Sequence, residues 1–188
     1  MHRFDDCVLR PILPGDKDIL LAWRNSDQVR ANMYMDHLIA PEEHERWFAS
    51  ALQHPSALFS VFVLRGVPVG FSSFTGISRD HQRCTWGFYL GEQGLPKGTG
   101  SALGYLALDY AFDTLGMYKL ASEAFAFNQA SVALHRKLGF REEGRLVEHY
   151  VKQGRREDII CFAKFRNQWE SEREALRALC FSPEGALK

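Results

Sequence analysis

The feature that most constrains this sequence is a glycine turn between a β-strand and a helix. Residues 85–90 predict the strand, and the apolar residues of 100–115 recur at helical spacing. The turn between them contains Lys97-Gly98-Thr99-Gly100. Glycines let backbone N–H groups approach an anion closely, and a helix N-terminus adds a favourable dipole. These residues predict a phosphate or pyrophosphate site, and taken alone they fit a plain strand-to-helix turn equally well.

Two common nucleotide-binding motifs do not match this turn. No Gly-Lys-Ser/Thr follows at the spacing of a P-loop. The turn also lies in the middle of the chain, after two strands that predict a hairpin at Arg65-Gly66, whereas a dinucleotide-binding fingerprint follows the first strand of a βαβ unit.

The remaining chain alternates between strands and helices and contains no internal repeat. Pro41, followed by three glutamates, predicts a helix start, and Gly139 predicts a helix end. We predict one α+β domain over residues 1–166 and a helical tail over 167–188. The predicted strands are 4–10, 57–64, 67–75, 85–90, 119–127, 145–152 and 158–165.

Composition excludes several classes of partner. The 188 residues carry a formal net charge of zero, which argues against nucleic acid as a partner held by bulk charge. No apolar run approaches the roughly 18 residues that span a membrane, and the first residues lack the apolar core of a secretory signal. Four cysteines without CxxC spacing and seven dispersed histidines predict neither disulfides nor a metal site. We expect a cytoplasmic protein.

A second motif follows the next strand. It begins with Asn128-Gln129-Ala130-Ser131 and ends with Lys137-Leu138-Gly139-Phe140. Together with the glycine turn, at this separation, it resembles the GNAT superfamily of N-acetyltransferases. The resemblance implies acetyl-CoA as co-substrate. It also implies an α+β fold with a mixed, mostly antiparallel sheet of about seven strands, which splays between the strands 85–90 and 119–127.

The resemblance also implies which residues bind the coenzyme. Pantetheine is expected against the backbone of Phe88, Tyr89 and Leu90, and the pyrophosphate against the N–H groups of Lys97, Gly98, Thr99, Gly100 and Ser101. Asn128, Ser131 and Lys137 are expected along the coenzyme. Two residues depart from the family pattern: Leu95 replaces the usual Gln or Arg, and His135 replaces the usual Tyr. Phosphate binding is therefore expected to depend on backbone N–H groups.

Two residues are candidates for the proton transfers. An amine must be neutral to attack a thioester, so a base assists, and the resemblance places that base at Glu123. Period-two alternation puts Glu123 on one face with three apolar residues, which predicts burial and a raised pKa. His135 is the candidate acid for the departing thiolate. The alternatives are a structural glutamate and a surface histidine. By analogy, a backbone N–H near Leu90 would meet the oxyanion.

The acceptor region contains Arg24-Asn25, then Met33-Tyr34, then a predicted helix with His44 and Trp47. This combination resembles the PseH-type subgroup, which acetylates the 4-amino group of a UDP-4-amino-4,6-dideoxy-N-acetyl-altrosamine. A nucleotide sugar offers phosphates to arginine, rings to aromatic side chains and an apolar methyl to methionine. His44 could bond a phosphate or ribose. The alternatives are plain core residues and an ion pair of Arg24 with Asp27. The candidate acceptor residues are Arg24, Asn25, Arg30, Met33, Tyr34, His44 and Trp47.

Two further functions remain open at the level of sequence. One is a RimJ-like transferase that acetylates a protein N-terminus or a polyamine. The other is a catalytically silent module that binds acetyl-CoA. Such a fold has exposed sheet edges. Together with the C-terminal helix, these edges also favour a homodimer.

Overall fold

A computed structural model describes residues 2–182. Its centre is one seven-stranded sheet in the order β1-β2-β3-β4-β5-β7-β6. The strands are β1 (Cys7–Pro11), β2 (Leu58–Leu64), β3 (Val67–Ser78), β4 (Arg83–Leu90), β5 (Lys119–Phe125), β6 (Arg141–Lys152) and β7 (Arg155–Phe165). The helices are α1 (Lys17–Asn25), α2 (Asp27–Arg30), α3 (Pro41–Ala51), α4 (Thr99–Asp109), α5 (Gln129–Lys137) and α6 (Arg166–Cys180).

The sheet is antiparallel except between β4 and β5. These two strands pair only from Arg83 with Lys119 to Trp86 with Ser122. Beyond that point β4 continues to Leu90 and β5 to Phe125 without pairing to each other. The predicted α+β fold, with a mostly antiparallel sheet that splays at this position, is confirmed.

Helix α4 is rich in apolar residues and is buried over most of its surface. Ala102, Leu103, Ala107 and Leu108 have no exposed surface. Its N-cap is Gly98, whose φ of 97° lies in the left-handed region that favours glycine. The sharp turn at Gly98 lets the chain leave the loop after β4 and enter α4 beside the splay.

Helix α6 packs onto the same core. Trp169 is fully buried, and Lys164 of β7 bonds both Glu172 of α6 and the carbonyl of Gly139. Residues 183–188 of the predicted tail lie outside the described residues. The boundary at residue 166 stays a prediction.

Several predicted bounds differ from the structure. Residues 4–6 form a 3-10 turn rather than the start of β1, and β5 ends at Phe125 rather than at residue 127. Helix α2 was not predicted because four residues are too few to show a helical period. Between residues 2 and 182, no helix is long and apolar enough to cross a membrane. The same residues contain no group of three or more potential metal-binding His, Cys, Asp or Glu side chains.

Candidate active site

A cavity of about 720 Å³ opens where β4 and β5 separate. Its coenzyme side is formed by β4, the start of α4 and the start of α5, and its acceptor side by α1, α3, the 31–39 loop and β3. Thirteen of the predicted coenzyme and acceptor residues line it: Arg24, Met33, Tyr34, His44, Trp47, Phe88, Tyr89, Leu90, Gly98, Gly100, Ser101, Asn128 and Ser131. Glu123 also lines it.

The residues at the start of α4 fit an anionic ligand. Among the described residues, no acceptor bonds the N–H groups of Gly100 and Ser101. Lys137 lies outside the cavity wall, but its Nζ donates to Ser101 Oγ at 2.9 Å, which brings a cation to the helix start. Unpaired N–H groups, a helix dipole and a nearby ammonium together favour a phosphate group.

Two predicted coenzyme residues have other partners, and a third lies outside the cavity wall. Thr99 is buried outside the cavity wall, where its hydroxyl donates to the carbonyl of Pro96 at 2.7 Å and lies 2.9 Å from Nε2 of His2. Asn128 reaches the cavity, but its Oδ1 caps α5 by accepting the N–H of Ser131 at 3.1 Å. Lys97 does not line the cavity.

Glu123 faces the cavity and is exposed, so the predicted burial is wrong. It does share its strand face with buried Phe125, as the alternation indicates. At Glu123, however, that face borders the cavity between the separated strands β4 and β5, and not the hydrophobic core. Oε2 of Glu123 accepts a hydrogen bond of 2.5 Å from the Tyr34 hydroxyl. Burial, followed by the hydrogen bond to Glu123, raises the pKa of Tyr34 above its ordinary value.

The position of His135 does not fit the predicted acid, and we correct that assignment. His135 is fully buried and stacks on Phe162 with ring centroids 4.5 Å apart. Nδ1 lies 2.8 Å from the carbonyl of Ser131, which can only accept, so Nδ1 carries the proton and Nε2 faces the Ser122 hydroxyl at 2.8 Å. Burial lowers the pKa of His135 to about 4. The ring is therefore neutral near pH 7, and neither nitrogen reaches the cavity.

Two predicted acceptor residues have structural roles instead. The Asn25 side chain exchanges two hydrogen bonds with the backbone of Ile39, at 2.9 and 2.8 Å, and so fixes the 31–39 loop on α1. Arg30 pairs with Asp27 at 2.6 Å, the carboxylate that the sequence offered as a partner for Arg24. Neither Asn25 nor Arg30 lines the cavity.

The other acceptor candidates differ in whether their side chains are available to contact a ligand. His44 is buried, with Nε2 2.8 Å from the carbonyl of Lys17, so a bond from this nitrogen to a phosphate or ribose does not fit. Trp47 is half-exposed at the cavity and stays available for stacking. Arg24 keeps an inaccessible Nη1 without a hydrogen-bond partner in the described structure, and burial lowers the pKa of its guanidinium.

Several functional residues were missed at the level of sequence. Glu43 lines the acceptor side, but in α3 it was interpreted only as a charge near the positive end of the helix. Tyr150 stacks on Tyr34 with ring centroids 4.3 Å apart. Lys152 donates to the carbonyl of Met33 at 2.6 Å. No local pattern indicates that residues of β6 hold a loop more than one hundred positions earlier.

A cavity in a splayed sheet, with unpaired N–H groups at a helix start and a carboxylate on the opposite strand, defines an acyltransferase that uses a coenzyme thioester. The comparison with protein families agrees. Residues 6–141 match the acetyltransferase (GNAT) domain, and the chain belongs to this family. It is an acetyl-CoA-dependent N-acetyltransferase.

Individual relatives extend this comparison. The chain is 28% identical over 169 residues to the SPbeta prophage-derived uncharacterized N-acetyltransferase YokL of Bacillus subtilis, covering 88% of this chain and 93% of that protein. It is 28% identical over 107 residues to the spermidine N(1)-acetyltransferase of Escherichia coli K12, covering 57% of this chain and 58% of that enzyme.

A solved structure shows the same fold. The spermidine N-acetyltransferase of Vibrio cholerae in complex with CoA and spermine superposes with a TM-score of 0.83 at 21% identity. The superposition covers 88% of this chain and 99% of that one.

Proposed function

We propose that this enzyme acetylates a primary amine of a polyamine such as spermidine, with Glu123 as the base. The observation that carries the proposal is that two carboxylates, Glu43 and Glu123, line one cavity. Glu43 lies on helix α3 and Glu123 on strand β5. This arrangement suits an acceptor that has more than one cationic nitrogen.

The rest of the acceptor side suits the same chemistry. A polyamine is a chain of ammonium groups joined by methylene segments. Aromatic faces attract ammonium groups, and methionine side chains adapt to methylenes. Tyr34, Trp47, Phe71 and the methionines Met33 and Met35 line this side of the cavity. The named relatives support the proposal because two of them are spermidine acetyltransferases.

The proposed roles follow from the geometry. Acetyl-CoA supplies an activated acyl group on a thioester. The unpaired N–H groups of Gly100 and Ser101 hold its pyrophosphate, and the edge of β4 that β5 leaves unpaired holds the pantetheine arm. Because Oε2 of Glu123 is bonded to Tyr34, Oε1 is the oxygen that accepts the proton of the amine. The oxyanion contact near Leu90 stays a prediction.

One observation favours a second candidate, the nucleotide-sugar acceptor of the PseH-type resemblance. Arg24 lies in the cavity wall with an unpartnered Nη1, and a buried guanidinium is best satisfied by a carboxylate or phosphate. An acceptor with a diphosphate would supply that partner. The relatives named above give this candidate no support, so we rank it below the polyamine. The RimJ-like protein substrate ranks with it, because a peptide N-terminus also presents one amine.

The test is release of the coenzyme thiol from acetyl-CoA with a panel of acceptors. The panel contains spermidine, a UDP-4-amino sugar and a peptide that begins with serine. We expect turnover with spermidine. Turnover only with the sugar or only with the peptide would replace the polyamine by that acceptor. No turnover with any amine would favour the catalytically silent module.

Two charge variants sharpen the same test. Glu43→Gln should raise KM for spermidine because it removes one of the two carboxylates. Glu45→Gln is the matched control, since Glu45 lies on the same helix but pairs with Lys17 outside the cavity. Arg24→Gln should affect spermidine little and a UDP-sugar strongly. The reverse order would favour the nucleotide sugar.

Assembly is a separate proposal. The edge strand β6 is exposed along most of its length, with Val147 at 70% and Val151 at 64% exposure. An unpaired strand edge with apolar side chains is a surface for a second copy. A dodecameric structure is known for the spermidine acetyltransferase of Vibrio cholerae. We propose a homodimer or larger homo-oligomer, which light scattering of the purified chain would test.

A further inference from the structure

The corrected position of His135 leaves one proton transfer without a residue. A thiolate that leaves the acyl carbon needs a proton, and His135 is neutral, fully buried and outside the cavity. A protic group on the cavity wall near the base is therefore the candidate donor. Tyr34 is such a group, because its hydroxyl bonds the carboxylate of Glu123.

We propose that Tyr34 and Glu123 form a proton relay, in which Tyr34 protonates the departing thiolate and is then reprotonated by Glu123. This inference rests on the proposed role of Glu123 as base. It assigns to Tyr34 a catalytic role in place of the stacking role that its sequence position suggested.

The fold holds the Tyr34 ring on two sides and also fixes the backbone beside it. The ring stacks on Tyr150 of β6 at an interplanar angle of 4°. It packs against Phe125 in an edge-to-face arrangement, with ring centroids 5.3 Å apart. Lys152 fixes the backbone just before the ring by bonding the carbonyl of Met33, and the same Nζ lies 3.4 Å from the Asp36 carboxylate. The hydroxyl is therefore the part of the side chain that is free to reorient.

The relay balances in protons and electrons. Glu123 takes one proton from the attacking nitrogen on Oε1. Tyr34 turns its O–H from Oε2 toward the sulfur and gives up that proton, while the sulfur keeps the electron pair of the broken C–S bond. Rotation of the Glu123 carboxyl group then presents its new proton to the phenolate. The nitrogen has lost one proton, the sulfur has gained one, and both side chains are back in their starting states.

The electrostatics favour this order of events. The titratable groups that face the phenol are Glu123 on β5, Tyr150 on β6 and Cys161 on β7. The charge of Glu123 raises the pKa of Tyr34, which keeps the phenol protonated before the reaction. Once Glu123 has taken the proton of the amine, that charge is gone. Tyr34 is then a stronger acid at the stage when the thiolate needs a proton.

The first test compares steady-state kinetics with spermidine as acceptor. Tyr34→Phe keeps the ring and its stacking and should lower kcat by about 10²-fold or more, with little change in KM for acetyl-CoA. Tyr118→Phe removes the hydroxyl of an exposed tyrosine outside the cavity wall and is the matched control, expected near the wild-type rate. The double variant Tyr34→Phe, Glu123→Gln should be no slower than Glu123→Gln alone, because both residues serve one relay. A wild-type rate in Tyr34→Phe would overturn the relay.

The second test does not depend on turnover. The ultraviolet difference titration of the wild type against Tyr34→Phe isolates the ionisation of this one phenol. The same difference in a Glu123→Gln background should move to lower pH, since the charge of Glu123 is gone. An unmoved titration would overturn the electrostatic coupling on which the relay depends.

Failure of the polyamine proposal is distinguishable from failure of the relay. If the wild type accepts a different amine of the panel, the variants are compared with that amine. If it accepts none, they are compared in the slow hydrolysis of acetyl-CoA, where water is the nucleophile. In each case a Tyr34→Phe rate equal to that of the wild type overturns the relay.

Discussion

The ammonium group of Lys152, the last residue of β6, donates a hydrogen bond to the backbone carbonyl of Met33, with an Nζ–O distance of 2.6 Å. The same Nζ lies 3.3 Å from the carbonyl of Arg30, and the side chain is 6% exposed. A buried ammonium with carbonyl partners fixes their positions, because leaving either side unpaired costs roughly 1–3 kcal/mol. One residue of β6 therefore holds the loop that carries Met33 and Tyr34 over the cavity.

We predict that Lys152→Met releases this loop and raises KM for the amine by about tenfold, while KM for acetyl-CoA changes little. Lys164→Met is the matched control, because Lys164 is equally buried but bonds Gly139 and Glu172 away from the cavity. Both variants should lower the melting temperature. Steady-state kinetics with each substrate varied in turn checks the difference. Equal effects on acceptor KM would show that general destabilisation, rather than the loop, is responsible.

The second prediction concerns Glu123. Glu123→Gln keeps the shape of the side chain but removes the base, so kcat/KM for the amine should fall by about 10²–10⁴-fold. Initial rates over a series of amine concentrations measure the effect. Glu142→Gln, a carboxylate of β6 that pairs with Arg136 away from the cavity, is the control and should behave like the wild type.

The third prediction follows from the buried imidazole of His135. Its folded-state pKa is lowered by burial to about 4, against an ordinary value of 6.5. Between these two pH values the unfolded chain binds more protons than the folded chain, so the free energy of unfolding must fall as the pH falls. The difference of about 2.5 units corresponds to about 3 kcal/mol. The contribution is fully present above pH 6.5 and is lost as the pH approaches 4.

Urea unfolding of the wild type and His135→Phe at a series of pH values between 7 and about 4 checks this prediction. The variant loses the hydrogen bond to Ser122 and should be less stable near pH 7, but its stability should depend less on pH. His81→Gln changes an exposed histidine and should retain the wild-type slope. Parallel slopes for the wild type and His135→Phe would mean that another group controls the acid sensitivity.

The glycine turn and the helix starts on the coenzyme side of the cavity could be predicted from sequence because their signals are local. The turn at Gly98 and the Asn128 cap each lie within a few residues of the helix that they start. The acceptor half could not be predicted in the same way. Its loop is fixed by Lys152 across 119 residues of chain, a pairing that no local period contains. Alternation along β5 correctly placed Glu123 and Phe125 on one face, but it does not reveal that the face meets a cavity.

His135 shows the opposite error. Its sequence context, a polar stretch near the end of a short helix, suggested a side chain at the surface or in the site. Burial arises from Phe162 of β7 and from Ser122 of β5, which approach α5 only in the folded chain. A family position that usually holds one residue type therefore does not transfer its role to a different residue type.

The fourth prediction separates the two glycines of the coenzyme turn. Gly98 has a φ of 97°, so Gly98→Ala places a Cβ in the left-handed region at a cost of about 1–2 kcal/mol. Gly100 has no such strain, and an added Cβ would meet Leu134 at 3.6 Å and Leu90 at 3.8 Å, which are ordinary contacts. Gly98→Ala should therefore lower the melting temperature, and it should weaken the affinity for CoA by about tenfold. Gly100→Ala should leave the melting temperature near that of the wild type.

The control for backbone strain is Gly94→Ala. Gly94 also has a positive φ, 68°, but it lies in the loop outside the cavity wall. This variant should lose stability without losing affinity for CoA, because the strain does not disturb the N–H groups at the start of α4. Thermal melts without ligand and titration calorimetry with CoA measure the two quantities separately. An unchanged CoA affinity in Gly98→Ala would show that the turn does not position the groups that bind the pyrophosphate.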